Sequence, residues 1–168
     1  MESFIWKRVE NGFYKNKKSV NDLIHYILRT DPDSNEIQVR FYGGTGVDYI
    51  LCERAIRQMK AVKKYFKKKS GLQIWHFIFS CPSTITEPMK VYDFANKIIK
   101  EHLLDYQAIF AVHEDTDNLH VHFIINSVSF LHGRKWHQEL SEFYFMKESI
   151  EKMAWHHFGF DKNITQLL

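Results

Sequence analysis

The stretch QAIFAVHEDTDNLHVHFIIN, residues 107–126, decides the fold of this chain. Two apolar runs rich in strand-forming residues flank a short polar turn at residues 114–118, a pattern that is typical of an antiparallel hairpin. The rest of the chain mixes further strand-like runs with amphipathic helices. We therefore expect an α+β fold, a two-layer sandwich whose central antiparallel β-sheet is flanked by α-helices, in preference to a doubly wound parallel sheet.

The other elements follow from hydrophobic periodicity and from start and stop signals. Strands are expected at residues 4–9, 72–80, 107–113 and 119–130, with a short strand at 37–41 in an otherwise irregular stretch that runs to Gly46. Helices are expected from Ser19 as the N-cap, over residues 48–70, from Pro88, and from Ser141 towards Gly159. In the first helix Tyr26 lies off the apolar stripe, so it is available for a role outside the core.

Composition limits the class of protein. The 168 residues, 45% hydrophobic and 15% aromatic, predict one compact domain over residues 1–168. The net charge of +3 is too modest to identify a nucleic-acid binder. Two cysteines, the lack of a leader and the lack of a membrane-spanning apolar run together predict a cytoplasmic protein that does not insert into membranes.

Histidines cluster around the polar turn. His120 and His122 are two residues apart on one strand, so their side chains project from the same face, and a tight hairpin brings His113 alongside them. Three neutral imidazoles with an open coordination position suit a catalytic divalent ion. The alternative is three ordinary half-buried histidines on a strand. Asp115 and Asp117 are placed to orient ring N–H groups or to accept a proton.

The sequence from His113 to His137 resembles the histidine motif of the relaxase and mobilisation nuclease family, within the HUH superfamily of endonucleases. Residues 71–80 resemble the second motif of that family, and residues 20–27 resemble its first motif. The resemblance implies an HUH endonuclease fold. It also implies that Tyr26 is the nucleophile, that Ser80 contacts DNA near the scissile phosphate, and that the histidines hold magnesium or manganese, with zinc as a further option.

The same resemblance implies a function in conjugation. A relaxase of this kind nicks single-stranded or hairpin DNA at the origin of transfer of a mobile element such as a plasmid, and forms a covalent 5′-phosphotyrosyl intermediate. Accessory relaxosome proteins and a type IV coupling protein are the partners that the resemblance implies. The C-terminal domains that are usual in the family are absent from these 168 residues.

Basic side chains offer contacts for a DNA backbone. The candidates are Lys60, Lys63, Lys64, Lys67, Arg134 and Lys135. For the lysine run, a solvated helix face is the competing interpretation.

Three other functions remain open. A rolling-circle replication initiator of the same superfamily would use Tyr144, which lies on a helix after the histidines. A three-histidine metallohydrolase would act on a small substrate without forming a protein–DNA adduct. A catalytically silent domain would bind hairpin DNA and ignore added metal.

Overall fold

The computed structural model describes residues 3–160 of the chain. Its five strands are β1 (Ile5–Val9), β2 (Phe41–Thr45), β3 (Ile74–Ser80), β4 (Ala108–His113) and β5 (His120–Asn126). They form one sheet in the order β1-β3-β5-β4-β2, and every neighbouring pair is antiparallel. The expected α+β class with a central antiparallel sheet is therefore confirmed.

Helices cover both faces of the sheet. The four α-helices are α1 (Ser19–Leu28), α2 (Cys52–Tyr65), α3 (Pro88–His102) and α4 (Leu140–His157), and a short 3-10 turn spans Gly12–Lys15. Apolar side chains of α3 and α4 pack with alternate residues of the sheet in one core. Those of α1 and α2 pack with the intervening sheet residues in a second core. The sandwich thus has a helical layer on each face, where we expected two layers in all.

The strand expected at residues 37–41 lies later in the chain, as β2 at Phe41–Thr45. The two glycines that suggested an irregular stretch allow close packing there. A Cβ atom on Gly43 would come within 2.8 Å of the Phe110 ring, and one on Gly44 within 2.4 Å of the Ala108 carbonyl oxygen. Strand β2 therefore tolerates glycine because its neighbour β4 leaves no room for a side chain.

The helix expected over residues 48–70 is shorter than predicted. Helix α2 begins after Leu51 and ends at Tyr65, and Lys67 adopts a left-handed backbone conformation that stops it. Leu51 is exposed, whereas Lys63 is buried with 3% exposure. Lys63 follows Met59 by four residues, so it lies on the core-facing stripe despite its charge.

Two smaller expectations concern the ends of the chain and the first helix. Ser19 is the first residue of α1 rather than its N-cap, and its hydroxyl donates to the Asn16 carbonyl oxygen at 2.6 Å. The expected single domain covers residues 1–168, of which 1–2 and 161–168 lie outside the described residues. Between residues 3 and 160, no helix combines the length and apolar character needed to cross a membrane.

Candidate metal centre

The hairpin of β4 and β5 brings three histidines together. His113, the last residue of β4, pairs in register with His120, the first residue of β5. His122 follows two residues later and faces the same side of the sheet. One ring nitrogen from each of the three histidines lies within 4.8 Å of the others. The period-two argument from sequence therefore placed these three side chains as the structure does.

Backbone carbonyls orient two of the three imidazoles. The Nε2 of His113 lies 2.8 Å from the Ile27 carbonyl oxygen, and the Nδ1 of His120 lies 3.1 Å from the Asn118 carbonyl oxygen. A carbonyl only accepts hydrogen bonds, so each of these nitrogens carries the ring proton. The opposite nitrogen of each ring is then the basic one, which is the form that binds a metal.

A buried chain of side chains orients the third imidazole. His122 Nδ1 lies 2.8 Å from His76 Nε2, and His76 Nδ1 lies 2.8 Å from the Tyr14 hydroxyl. If His122 donates along this chain, its Nε2 becomes the basic nitrogen at the centre. Sequence reasoning missed His76 and Tyr14. The period-two rule on β3 was the available signal, because His76 shares a face with Ser80.

Burial keeps these imidazoles neutral. Burial, with the neighbouring His113, His76 and His120 adding to it, lowers the pKa of His122 to about 3. The pKa of His76 falls to about 4 for the same main reason, and burial also lowers the pKa of His113. Neutral rings have a lone pair to offer near neutral pH, so no proton competes with a metal ion there.

Tyr26 lies beside the histidines on helix α1. Its ring centroid is 5.8 Å from that of His122 and 6.4 Å from that of His113, both in edge-on geometry. The side chain is 49% exposed, so its hydroxyl is open to a large ligand. Helix α1 packs its apolar stripe on the sheet, and this packing sets the tyrosine at the rim of the centre.

Arg29 links the tyrosine to the acidic turn. Its guanidinium lies 5.5 Å from the centroid of the Tyr26 ring and donates a 2.6 Å hydrogen bond to Asp115 Oδ2. Arg29 Nη2, the nitrogen that donates to Asp115, also lies 3.4 Å from His113 Nδ1. Sequence reasoning missed Arg29, because its position depends on the left-handed backbone that ends α1.

The other residues considered from the sequence lie in three different parts of the fold. Ser80 pairs directly with His120 across β3 and β5 and shares its face. Asp117 is exposed in the turn, while Thr116 Oγ1 contacts His120 Nδ1 at 3.2 Å. Tyr144 lies on α4, which packs on the opposite face of the sheet, and its ring stacks edge-on against its neighbour Phe143.

The donor set fits a divalent ion. Three converging imidazoles, each with one nitrogen held by a protein group, match the arrangement that metal-binding histidines usually have. Within residues 3–160, this is the cluster of three or more ligating side chains that is close enough to hold an ion. Three protein ligands leave coordination positions for a substrate oxygen. A catalytic rather than a purely structural ion fits this set.

The basic residues gather elsewhere. Arg134 and Lys135 follow β5 at the end remote from the histidines, since Lys135 donates to the Ser70 carbonyl oxygen and Trp136 N–H donates to the Ser127 carbonyl oxygen. Lys135 lies near Lys63 of α2 and Lys68 of the loop after that helix. Lys60, Lys64 and Lys67 are exposed there.

Comparisons with known proteins agree with this architecture. A family model described as "Relaxase: MobA/VirD2-like, nuclease domain" matches residues 26–157, a range that contains Tyr26 and all three histidines. A solved structure described as "Molecular Basis of Vancomycin Resistance Transfer in Staphylococcus aureus" is similar with a TM-score of 0.65 and 13% identity, over 95% of this chain and 93% of that chain. No curated protein matches the sequence.

Proposed function

The chain belongs to the MobA/VirD2-like relaxase family, matched over the nuclease domain, and from this premise we propose that it nicks one DNA strand at the origin of transfer of a mobile element. The resemblance of residues 20–27 to the first motif of relaxases, and of residues 113–137 to their histidine motif, supports this function. The product is a DNA strand ready for conjugative transfer, with its 5′ end attached to the protein.

Tyr26 is the nucleophile in this proposal. Its hydroxyl oxygen forms a bond to the phosphorus of the scissile phosphodiester while the bond from phosphorus to the 3′ oxygen breaks. The phenolic proton passes to a carboxylate, for which Asp115 and Asp117 are the candidates, and the leaving 3′ oxygen takes up a proton. A 5′-phosphotyrosine and a free 3′-hydroxyl result. The reverse attack by a 3′-hydroxyl rejoins the strand without nucleotide hydrolysis.

Side chains around Tyr26 hold the phosphate. The Ser80 hydroxyl, across from His120, contacts the phosphate near the scissile bond, and the Arg29 guanidinium offsets charge on its oxygens. His113, His120 and His122 would hold a divalent ion, magnesium or manganese with zinc as a further option. When bound, such an ion supplies Lewis-acid stabilisation of the negative charge that develops on the phosphate.

The wider setting follows from the family. Single-stranded or hairpin DNA at the origin of transfer is the substrate, and its backbone runs along the basic residues of α2 and the segment after β5. Accessory relaxosome proteins and a type IV coupling protein are the proposed partners, in the cytoplasm. These assignments rest on the resemblance, and the exposed lysines Lys60, Lys64 and Lys67 support the DNA path.

One observation carries the proposal: Tyr26 lies edge-on against two histidines of the cluster, at 5.8 and 6.4 Å between ring centroids. The replication-initiator alternative needs Tyr144, whose helix packs on the other face of the sheet. A hydrolase for small substrates gives no reason for a half-exposed tyrosine beside the cluster. A relaxase function accounts for both the histidine cluster and the half-exposed Tyr26 beside it.

The test is the site of covalent attachment. Wild-type protein, Tyr26→Phe and Tyr144→Phe are incubated with manganese and single-stranded oligonucleotides from the element's own transfer origin, and adducts are located by denaturing gel and peptide mass spectrometry. We expect an adduct on Tyr26, its loss in Tyr26→Phe and its persistence in Tyr144→Phe. An adduct on Tyr144 would instead make the protein a replication initiator, and none at all would favour a hydrolase or a silent binder.

A further inference from the structure

A cavity of about 310 Å³ lies on the same face of the sheet as the metal centre but away from it, next to α2. It is lined by five lysines and a glutamine, namely Lys17, Lys60, Lys63, Lys64, Lys69 and Gln73. The lysines come from three separate places, the turn before α1, helix α2 and the loop after α2. The lysines around this cavity thus come from three segments of the chain, whereas a solvated helix face has its charges on one helix.

None of these five lysines forms an ion pair with an acidic side chain of residues 3–160. Lys135 adds a further positive charge close by, since it interacts electrostatically with Lys63. Like charges held together without counterions destabilise a fold, so the cavity offers a bound anion a favourable place.

Lys63 is the deepest of these groups. It is buried with 3% exposure, and its ammonium donates to Oδ1 of Asn126, a neutral amide. Burial, followed by the nearby Lys135 and Lys60, lowers the pKa of Lys63 to about 7. A buried lysine without a carboxylate partner costs stability. The chain nevertheless has lysine at a position where an apolar residue fits the helix stripe.

We propose that this cavity is a phosphate-binding pocket, separate from the three-histidine centre, in which Lys63 and the surrounding lysines hold one backbone phosphate of the bound DNA strand. Phosphate oxygens accept charge-assisted hydrogen bonds from several ammonium groups at once. The pocket itself does not depend on the proposed nicking function, but the identification of its phosphate with DNA does rest on it.

The first test asks for phosphate binding by the metal-free protein. Inorganic phosphate is titrated at constant ionic strength, with chloride as the comparison, and the melting temperature is followed for wild type and Lys63→Met. We expect phosphate to raise the melting temperature of wild type more than chloride does, and this gain to be lost in Lys63→Met. Equal responses of the two proteins would overturn the pocket.

The second test asks whether the phosphate belongs to DNA. Binding of a labelled single-stranded oligonucleotide is measured by fluorescence anisotropy without metal, over a range of salt concentrations. Lys63→Met is expected to bind at least 10-fold more weakly, because a charge-assisted hydrogen bond is lost, and with a salt slope lower by about one. Lys100→Met, which removes one exposed lysine from α3, is the matched control and should bind like wild type.

Stability separates a binding role from a structural one. A lysine that serves only the fold would lower melting temperature and DNA affinity together when replaced, whereas Lys63→Met is expected to melt no lower than wild type while binding DNA less well. If Lys63→Met does not fold, the double variant Lys60→Gln, Lys64→Gln at the exposed rim replaces it. Normal phosphate and DNA binding by that variant would overturn the proposal.

The remaining outcomes are distinct. Phosphate binding that depends on Lys63, with DNA affinity unchanged, would assign the pocket to a free phosphate compound and overturn its DNA role. The Tyr26 adduct is scored separately with metal present, so failure of the nicking reaction and failure of the pocket are independent results.

Discussion

Each imidazole of the candidate metal centre has one ring nitrogen held by the protein, and for His122 the holding group is His76. Replacement of His76 by leucine removes this acceptor, whereas glutamine retains a carbonyl oxygen that can accept from His122. We expect His76→Leu to bind manganese about 10- to 100-fold more weakly than wild type, with partial recovery in His76→Gln. Isothermal titration calorimetry measures both affinities.

The hydroxyl of Tyr14 gives the matching control for that experiment. Tyr14→Phe keeps the ring and removes only the end of the hydrogen-bonded chain, so its loss of manganese affinity should be smaller than that of His76→Leu. Wild-type affinity in His76→Leu would mean that His122 is oriented by packing alone.

Arg29 gives a second prediction at the level of single residues. Arg29→Gln removes the charge beside Tyr26 and breaks the exposed pair with Asp115, which costs less than about 1 kcal/mol of stability. We expect the rate of adduct formation to fall by about 100-fold, as when one charge-stabilising donor is lost. Single-turnover cleavage gels give the rate.

Arg54→Gln is the control, because Arg54 also forms an exposed pair, with Asp48 at 2.7 Å, whereas the guanidinium over the Tyr26 ring is that of Arg29. The two variants should have similar stability and differ in rate. Equal rates for both would show that the guanidinium of Arg29 does not act on the phosphate.

The sequence predicts the position of a site residue correctly where that position depends on one strand or one tight hairpin. His113, His120 and His122 converge because alternation along β5 and the register of a short turn are local properties. His76, Tyr14 and Arg29 reach the site through a neighbouring strand, a 3-10 turn and a helix end. Their placement depends on tertiary pairing that local periodicity does not encode.

At the level of elements, strand β2 shows how a close neighbour overrides local signals. The local sequence around the Gly-Gly pair at residues 43–44 is typical of a loop. The pair nevertheless lies in a strand, because β4 approaches it closely. Gly44→Ala would place a Cβ atom 2.4 Å from the Ala108 carbonyl oxygen. We expect a loss of about 1–3 kcal/mol in the free energy of unfolding, measured by urea denaturation.

Gly12→Ala is the matched control for β2, since no atom lies within 4 Å of a Cβ built at Gly12. Its urea midpoint should stay close to that of wild type. A wild-type midpoint for Gly44→Ala as well would mean that β2 moves away from β4 at little cost.

For the whole molecule, Lys63 ties stability to pH. The pKa of Lys63 is about 7 in the folded protein against the ordinary lysine value of 10.5, so the unfolded state binds more protons between these values. The folded state is therefore penalised increasingly as pH falls from 10.5 to 7. The charged groups that act on Lys63 are Lys135 and Lys60, its hydrogen-bond acceptor is the neutral amide of Asn126, and Lys17, Lys64 and Lys69 line the same cavity.

The lowered pKa of Lys63 predicts that the stability difference between wild type and Lys63→Met changes with pH. The stability of wild type relative to Lys63→Met should increase by roughly 2–3 kcal/mol between pH 7 and pH 9, at about 1.4 kcal/mol per pH unit. Urea denaturation of both proteins at the two pH values measures it. A constant difference would show that Lys63 keeps its ordinary pKa in the folded state.

The architecture as a whole was largely predictable. The alternation of strands and amphipathic stripes predicts the α+β class and the antiparallel sheet, and the apolar stripe of α3, with Val91, Phe94 and Ile98, is buried. The burial of Lys63 was not predictable, because charge argues for solvent while helical spacing argues for the core. Only the packing of α2 against the sheet decides between them.

Strand β5 connects the two proposed DNA contacts through a fixed length of backbone. His122 and Asn126 are four residues apart on this strand and face the same side, so at about 3.4 Å per residue they are separated by about 14 Å. The paired backbone of β5 fixes this separation, so in the proposed complex the protein, and not the bases, sets the distance between the cleaved phosphodiester and the phosphate at Lys63.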